Sequence, residues 1–145
     1  MSDAHYTGHC SCGAVRLEIA GEPVATRQCW CRQCQRIAAG GPTNNAMVRT
    51  DDLSLSGDLA ASSYVAASGN TLSQWFCPSC GTHIMGESSA RPQFRTVRIG
   101  VLDQSGDLAP TAAIWTDDAP AWAAIDPALE QFPRQPPPPA PAPAG

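Results

Sequence analysis

Cys29-Trp30-Cys31-Arg32-Gln33-Cys34 places three thiols within six residues, at C-x-C-x-x-C spacing. A small apolar side chain would pack as well as a free cysteine, so thiols crowded this way point to chemistry rather than core filling. Four more cysteines stand in two further pairs, Cys10-Ser11-Cys12 and Cys77-Pro78-Ser79-Cys80. Seven thiols cannot all close into disulfides. They divide naturally into a closed tetrahedral zinc site with four ligands and a second zinc with three protein ligands and one open position.

The two outer pairs have the form of zinc knuckles. Two residues between Cys77 and Cys80 let both sulfurs face one ion, and Gly81 permits a positive φ just after the second ligand. Cys10-Ser11-Cys12-Gly13 is a tighter version, also closed by glycine. One knuckle supplies half of a four-ligand structural site, so pairing the two leaves the central cluster intact as a separate centre. Three thiolates on Zn2+ leave an excess negative charge, which mutes Lewis acidity. Such a centre is better suited to holding a substrate thiolate than to making hydroxide. Two other readings stay open: two central thiols completing a structural site with the third incidental, and Cys31 with Cys34 as a redox dithiol. The second lacks the βαβ setting of a thioredoxin-like motif.

Around the central cluster, Arg27, Arg32 and Arg36 could hold carboxylates of an anionic substrate by charge-assisted hydrogen bonds, or stand as solvated surface residues. Trp30 could line a pocket or fill the core. His9 and His83, close to the knuckles, could replace a ligand or support one from outside, whereas His5 sits near the amino terminus.

A chain of 145 residues fits one domain that buries about two-thirds of its unfolded surface. All nine basic residues are arginine against thirteen acids, and the net charge of −4 argues against non-specific nucleic-acid binding. The first six residues lack the basic and apolar regions of a secretory signal. No apolar run approaches the ~18 residues of a membrane span. The expectation is a cytoplasmic chain, where thiols stay reduced and clustered cysteines bind metal more often than they cross-link.

Period-two alternation marks Val15, Leu17 and Ile19 as the buried face of a strand between Gly13 and Gly21. Further strands are predicted over Val24–Cys29, Thr43–Arg49, a short run through Leu53 and Leu55, Ser62–Ala67, Thr71–Phe76, Thr82–Met85, Phe94–Val101 and Ala112–Thr116. Ser68-Gly69-Asn70 reads as a hairpin turn, and Arg32–Ala39 as one or two turns of helix before Gly40-Gly41-Pro42. In the Phe94–Val101 strand, Val97, Ile99 and Val101 should face inward with Thr96 and Arg98 on the wet side. Trp115, Trp122, Ile125, Leu129 and Phe132 read as anchors that fasten an extended segment to the body. The domain is expected to span residues 1–132. The last thirteen residues, 133–145, hold seven of the fourteen prolines and should be polyproline II or disordered. The fold class is mostly β, with little helix.

Three stretches together resemble a known family: Gly8-His9-Cys10-Ser11-Cys12-Gly13-Ala14-Val15, Cys29-x-Cys31-x-x-Cys34, and Phe76-Cys77-Pro78-Ser79-Cys80-Gly81-Thr82. They are similar to the glutathione-dependent formaldehyde-activating enzymes, a family that includes centromere protein V, and the similarity extends into Ala119-Pro120-Ala121-Trp122 and Ile125-Asp126. The resemblance implies an Mss4-like, zinc-bearing fold of short antiparallel strands. It implies a structural zinc on Cys10, Cys12, Cys77 and Cys80, and a catalytic-type zinc on Cys29, Cys31 and Cys34. The implied reaction is of the carbon–sulfur lyase type, condensing formaldehyde with glutathione to S-hydroxymethylglutathione, and the implied partner is a small-molecule thiol such as glutathione. Trp30, Arg32 and Arg36 are the expected substrate contacts. This chain departs from the family at Trp30, where histidine is common, and at Gln35-Arg36, where a basic pair is common. The alternative is a non-catalytic zinc module that binds a protein or nucleic-acid partner. A methionine-sulfoxide reductase of the related fold would want a reactive cysteine away from the metal, and no cysteine follows Cys80.

Overall fold

The computed structural model describes residues 5–137 of the chain. The alternation around Leu17 forms a strand, β2 (Arg16–Ala20), with Arg16 and Glu18 in solvent and Leu17 and Ile19 buried. Burying side chains of this size stabilises by roughly 1.5–3 kcal/mol each. β2 is the centre of a three-stranded sheet between β1 (His5–His9) and β5 (Leu53–Ser56), both antiparallel to it.

The larger sheet has eight strands. β3 (Ala25–Cys29) delivers the first central cysteine and is followed by the helix α1 (Arg32–Ile37). β4 (Thr43–Arg49) returns antiparallel to β3, with Cys29 opposite Thr43. β6 (Ala60–Val65) and β7 (Thr71–Phe76) form the hairpin, whose tip closes as the Gly69 amide donates to Ala66 O at 2.9 Å. β8 (His83–Ser88), β9 (Phe94–Arg98), β10 (Ala112–Ile114) and the short β11 (Glu130–Gln131) complete it. The strand order is β11-β10-β3-β4-β9-β8-β7-β6. Antiparallel pairing dominates, but β10 runs parallel to both β3 and β11. The main core lies where Leu17 and Ile19 of the small sheet meet Ala46, Val48 and Val97 of the large one.

Three sequence expectations are corrected. β9 stops at Arg98, and Ile99–Val101 turns into a single 3-10 turn, keeping Ile99 and Val101 buried by another route. Arg98 is not on a wet face: it is 8% exposed, because β9 is an inner strand covered on both sides. Trp122 is 73% exposed and anchors nothing, whereas Trp115 and Phe132 pack beside the cysteine-rich end of β3.

The first residues after Phe132 are hydrogen-bonded to the body: the amides of Trp115 and Asp117 donate to the carbonyls of Arg134 and Pro133, at 3.4 and 3.2 Å. Of the tail expected over 133–145, residues 138–145 lie outside the described residues. Among the described residues no helix is long and apolar enough to cross a membrane.

Candidate functional site

Both knuckles are built by the same local device. In each, a glycine amide reaches back to the first cysteine's carbonyl, Gly13 N to Cys10 O at 3.1 Å and Gly81 N to Cys77 O at 2.8 Å. Both glycines hold left-handed backbone, with φ of 80° and 79°, a conformation that a side chain would strain. The first knuckle joins β1 to β2 and the second joins β7 to β8, so their meeting ties one sheet to the other. The Ser11 amide donates to Thr82 Oγ1 at 3.1 Å across the junction.

The four sulfurs of Cys10, Cys12, Cys77 and Cys80 lie within 4.8 Å of one another. Cys10 Sγ is 3.6 Å from Cys12 Sγ, which is 3.8 Å from Cys77 Sγ. A disulfide requires about 2 Å. A tetrahedron with metal–sulfur bonds of about 2.3 Å has edges of about 3.8 Å, so the cage fits a zinc ion. Its thiols are primed to lose protons unevenly. Thr82's hydroxyl, then the amides of Thr82 and Cys12, bring Cys80 down to about 5. The Val15 amide, 3.3 Å from the sulfur, lowers Cys10. Cys12 is pushed up to about 11, because the Ala14 amide that pulls it down is outweighed by the neighbouring thiols and by burial.

The central cluster is assembled by a strand end and a helix start. Cys29 closes β3, the Trp30 amide donates to Ile114 O at 3.0 Å, and Cys31 caps α1 by accepting the Cys34 amide on its sulfur at 3.3 Å. The sulfurs of Cys29, Cys31 and Cys34 again lie within 4.8 Å of one another. Among the described residues no histidine, carboxylate or further cysteine joins them. Cys31 is held well below the usual thiol range by hydrogen bonding from Cys29 and Cys34, then by the Cys34 and Gln33 amides. Cys29 is pushed up, chiefly by that same bond to Cys31 and then by Cys34 and burial. Three converging cysteine sulfurs are a donor set suited to zinc.

A cavity of about 250 Å³ opens between α1 and the β6–β7–β8 edge; Gln33, which stands between Cys31 and Cys34, lines it, but the three cysteines do not. Gln33, Arg36 and Ile37 form one wall, and Ser62, Gln74, Phe76 and His83 the other. His83 stacks on Phe76 with ring centres 5.8 Å apart, and its Nδ1 is buried without a hydrogen-bond partner. Burial, then the charge of Arg98, holds His83 below the ordinary histidine value.

The remaining expected residues divide. Arg36 lines the cavity; Arg32 instead donates to Gln35 Oε1, and Gln35 in turn donates to the carbonyls of Trp30 and Asp118 at 2.7 and 2.9 Å. Trp30 is 3% exposed and donates to Gln28 Oε1 at 3.2 Å. Arg27 is half-buried, with Arg91 and Glu130 as the charges that act on it. The exposed His9 donates from Nδ1 to Cys10 O at 2.7 Å and is no ligand. His5, at the start of β1, is exposed.

Sequence reading missed Thr43, Asn45, Tyr64, Gln74 and Arg98, which share the cavity side of the large sheet. Arg98 donates to Asn45 Oδ1 at 2.7 Å and to Gln74 Oε1, and Asn45 Nδ2 donates to Thr43 Oγ1 at 2.9 Å. Tyr64 is raised above its usual value, mainly by burial, with the charges of Cys31 and Cys34 adding to the shift. The available signal was Thr43 and Asn45 alternating in a strand whose other face is Ala46 and Val48.

A family model described as glutathione-dependent formaldehyde-activating enzyme matches residues 5–118. The chain is similar in fold to the crystal structure of a Rhodobacter sphaeroides protein solved as a structural genomics target. That likeness has a TM-score of 0.56 and 20% identity, and covers 87% of this chain and 98% of the other. No curated protein matches.

Proposed function

The chain belongs to the glutathione-dependent formaldehyde-activating enzyme family, and on that premise we propose a zinc-dependent enzyme of the carbon–sulfur lyase type. It acts on a thiol adduct, with glutathione and formaldehyde as the leading pair and S-hydroxymethylglutathione as the product. One observation carries this reading: Cys29, Cys31 and Cys34 converge on one point with no fourth side-chain donor among the described residues, and Gln33 between them lines a cavity. Three ligands and an open position are the pattern of catalytic rather than structural zinc.

When bound there, a zinc ion supplies the positive charge that favours thiolate over thiol at neutral pH. The reaction adds a sulfur–hydrogen bond across a carbonyl. A sulfur–carbon bond forms, the carbonyl π pair moves to oxygen, and the thiol proton ends on that oxygen. His83 suits the proton's passage, being held neutral in the cavity wall with Nδ1 free of any partner. Arg36 and Gln33 suit the orientation of a carboxylate-bearing thiol, and Ile37 and Phe76 supply apolar wall that keeps water off the aldehyde.

The test is NMR exchange between free glutathione and its formaldehyde adduct, with zinc-loaded protein present. Acceleration over buffer is expected, and none removes this substrate pair. A cobalt-substituted chain whose spectrum no thiol perturbs would favour the non-catalytic binding module instead.

A further inference from the structure

Among the described residues Arg98 is the one buried charged side chain, and the reaction leaves its charge unused. Its side chain lies against the large sheet, in a place that the sequence makes deliberately shallow. A Cβ at Gly86 would stand 3.0 Å from Gln74 Oε1 and 3.4 Å from Arg98 Nη2, so any larger residue there would press on the Gln74 amide and the guanidinium. A buried arginine is normally matched by a carboxylate, because an unpaired charge is costly to desolvate. Here no carboxylate meets it among the described residues; its hydrogen-bonded partners are the neutral amides of Asn45 and Gln74, and Nε has none. Burial disfavours its charge, and the groups whose ionised forms favour it are Cys34, Cys29 and Cys31, then Tyr64.

The hydrogen bonds have a direction. Arg98 donates to the Asn45 carbonyl oxygen and Asn45 donates to the Thr43 hydroxyl. Thr43 lies opposite Cys29 in the strand register, and its hydroxyl favours ionisation of Cys34. Both donors in this line run from the guanidinium toward the end of β4 that pairs with Cys29. Three thiolates around a divalent ion carry one negative charge too many, and an incoming thiolate would add another.

We propose that Arg98 is the fixed counter-charge of the three-cysteine centre: it offsets the surplus charge of three thiolates on a divalent ion and so lets the open position take an anionic sulfur ligand. Arg98 touches neither metal nor substrate in this role; it is a positioning charge acting through Asn45 and Thr43. The inference rests on the reading of the cluster as a metal centre open to thiols.

The experiment compares wild type with Arg98→Met, Arg98→Lys and Gln74→Glu; the last keeps the guanidinium in place but neutralises it. Zinc content and chelator competition give the affinity of each centre. Cobalt-loaded protein is then titrated with 2-mercaptoethanol, which binds as an anion, and with imidazole, which binds neutral. Arg98→Met is expected to weaken the second ion about 10- to 100-fold, the range for outer-shell partners, while the four-cysteine ion stays. Arg98→Lys should recover most of that loss. Affinity for 2-mercaptoethanol should fall by a larger factor than affinity for imidazole. If Arg98→Met does not fold, Gln74→Glu decides by the same measurements. Unchanged affinity for the second ion, equal weakening at both centres, or equal loss for both added ligands overturns the proposal. A wild type that takes up a single ion overturns it together with the metal-centre reading. A wild type that takes two ions yet ignores thiols removes the thiol reading alone, and the chelator arm still decides the role of Arg98.

Discussion

Gly81 and Cys31 are single residues whose replacement should produce opposite kinds of damage. Gly81 holds φ of 79°, where an L side chain costs about 1–2 kcal/mol. Gly81→Ala should therefore lower the melting temperature by several degrees, whereas Gly106→Ala, at a glycine with open space around it and no positive φ, should not. Cys31→Ser removes a ligand from a three-ligand site, which should cost most of that site's affinity. Metal analysis should fall from about two zincs per chain to about one. His83 gives a titration with a definite sign. Its folded value is depressed by burial, then by Arg98, so on acidification the unfolded chain binds the proton first. The stability it contributes is whole above about pH 6.5 and shrinks as pH falls below that, toward the folded value. Urea unfolding of His83→Gln should show a flatter acid limb than wild type.

At the scale of elements, legibility depended on how local each signal is. The cysteine groups were readable because ligand spacing is set within one turn, and both knuckles and the strand–helix cluster stand where those spacings fall. Leu17 and Ile19 were readable because β2 has one wet face. β9 broke that rule: as an inner strand with the main core on one side and the cavity side on the other, it buries Val97 and Arg98 alike, and alternation reports only which residues differ in face. β1 went unseen because His5-Tyr6-Thr7-Gly8-His9 carries a single large apolar side chain, and β11 because two residues hold no period. The parallel pairing of β10 with β3 and β11 joins segments remote in sequence, which no local pattern encodes. That edge makes its own prediction. Phe132 donates its amide to Ala113 O at 2.9 Å, and Arg134 and Pro133 accept from the Trp115–Asp117 turn. A chain ending at Gln131 loses these bonds next to Cys29 and should melt several degrees below one ending at Pro137, as circular dichroism would show.

For the molecule as a whole, the two candidate centres have different mechanical positions, and that difference can be measured. The four-cysteine cage joins the three-stranded sheet to the eight-stranded one, supported nearby by Thr7, whose hydroxyl donates to Asp103 Oδ2 at 2.7 Å and whose amide donates to Gln104 Oε1 at 3.0 Å. Binding energy spent at such a junction is folding energy, since the ligands converge only when the sheets are docked. The three-cysteine cluster draws its ligands from one strand end and the helix beginning three residues later, so its ligands are largely gathered by local structure. Cys80→Ser should therefore lower the melting temperature and speed amide exchange throughout β1, β2 and β5, while the thiol response of the second centre survives in the fraction still folded. Cys31→Ser should leave exchange in those strands near wild type and abolish the thiol response. If both substitutions loosen the small sheet equally, the centres are not mechanically distinct, and the division of the seven cysteines into a structural four and a reactive three fails with that result.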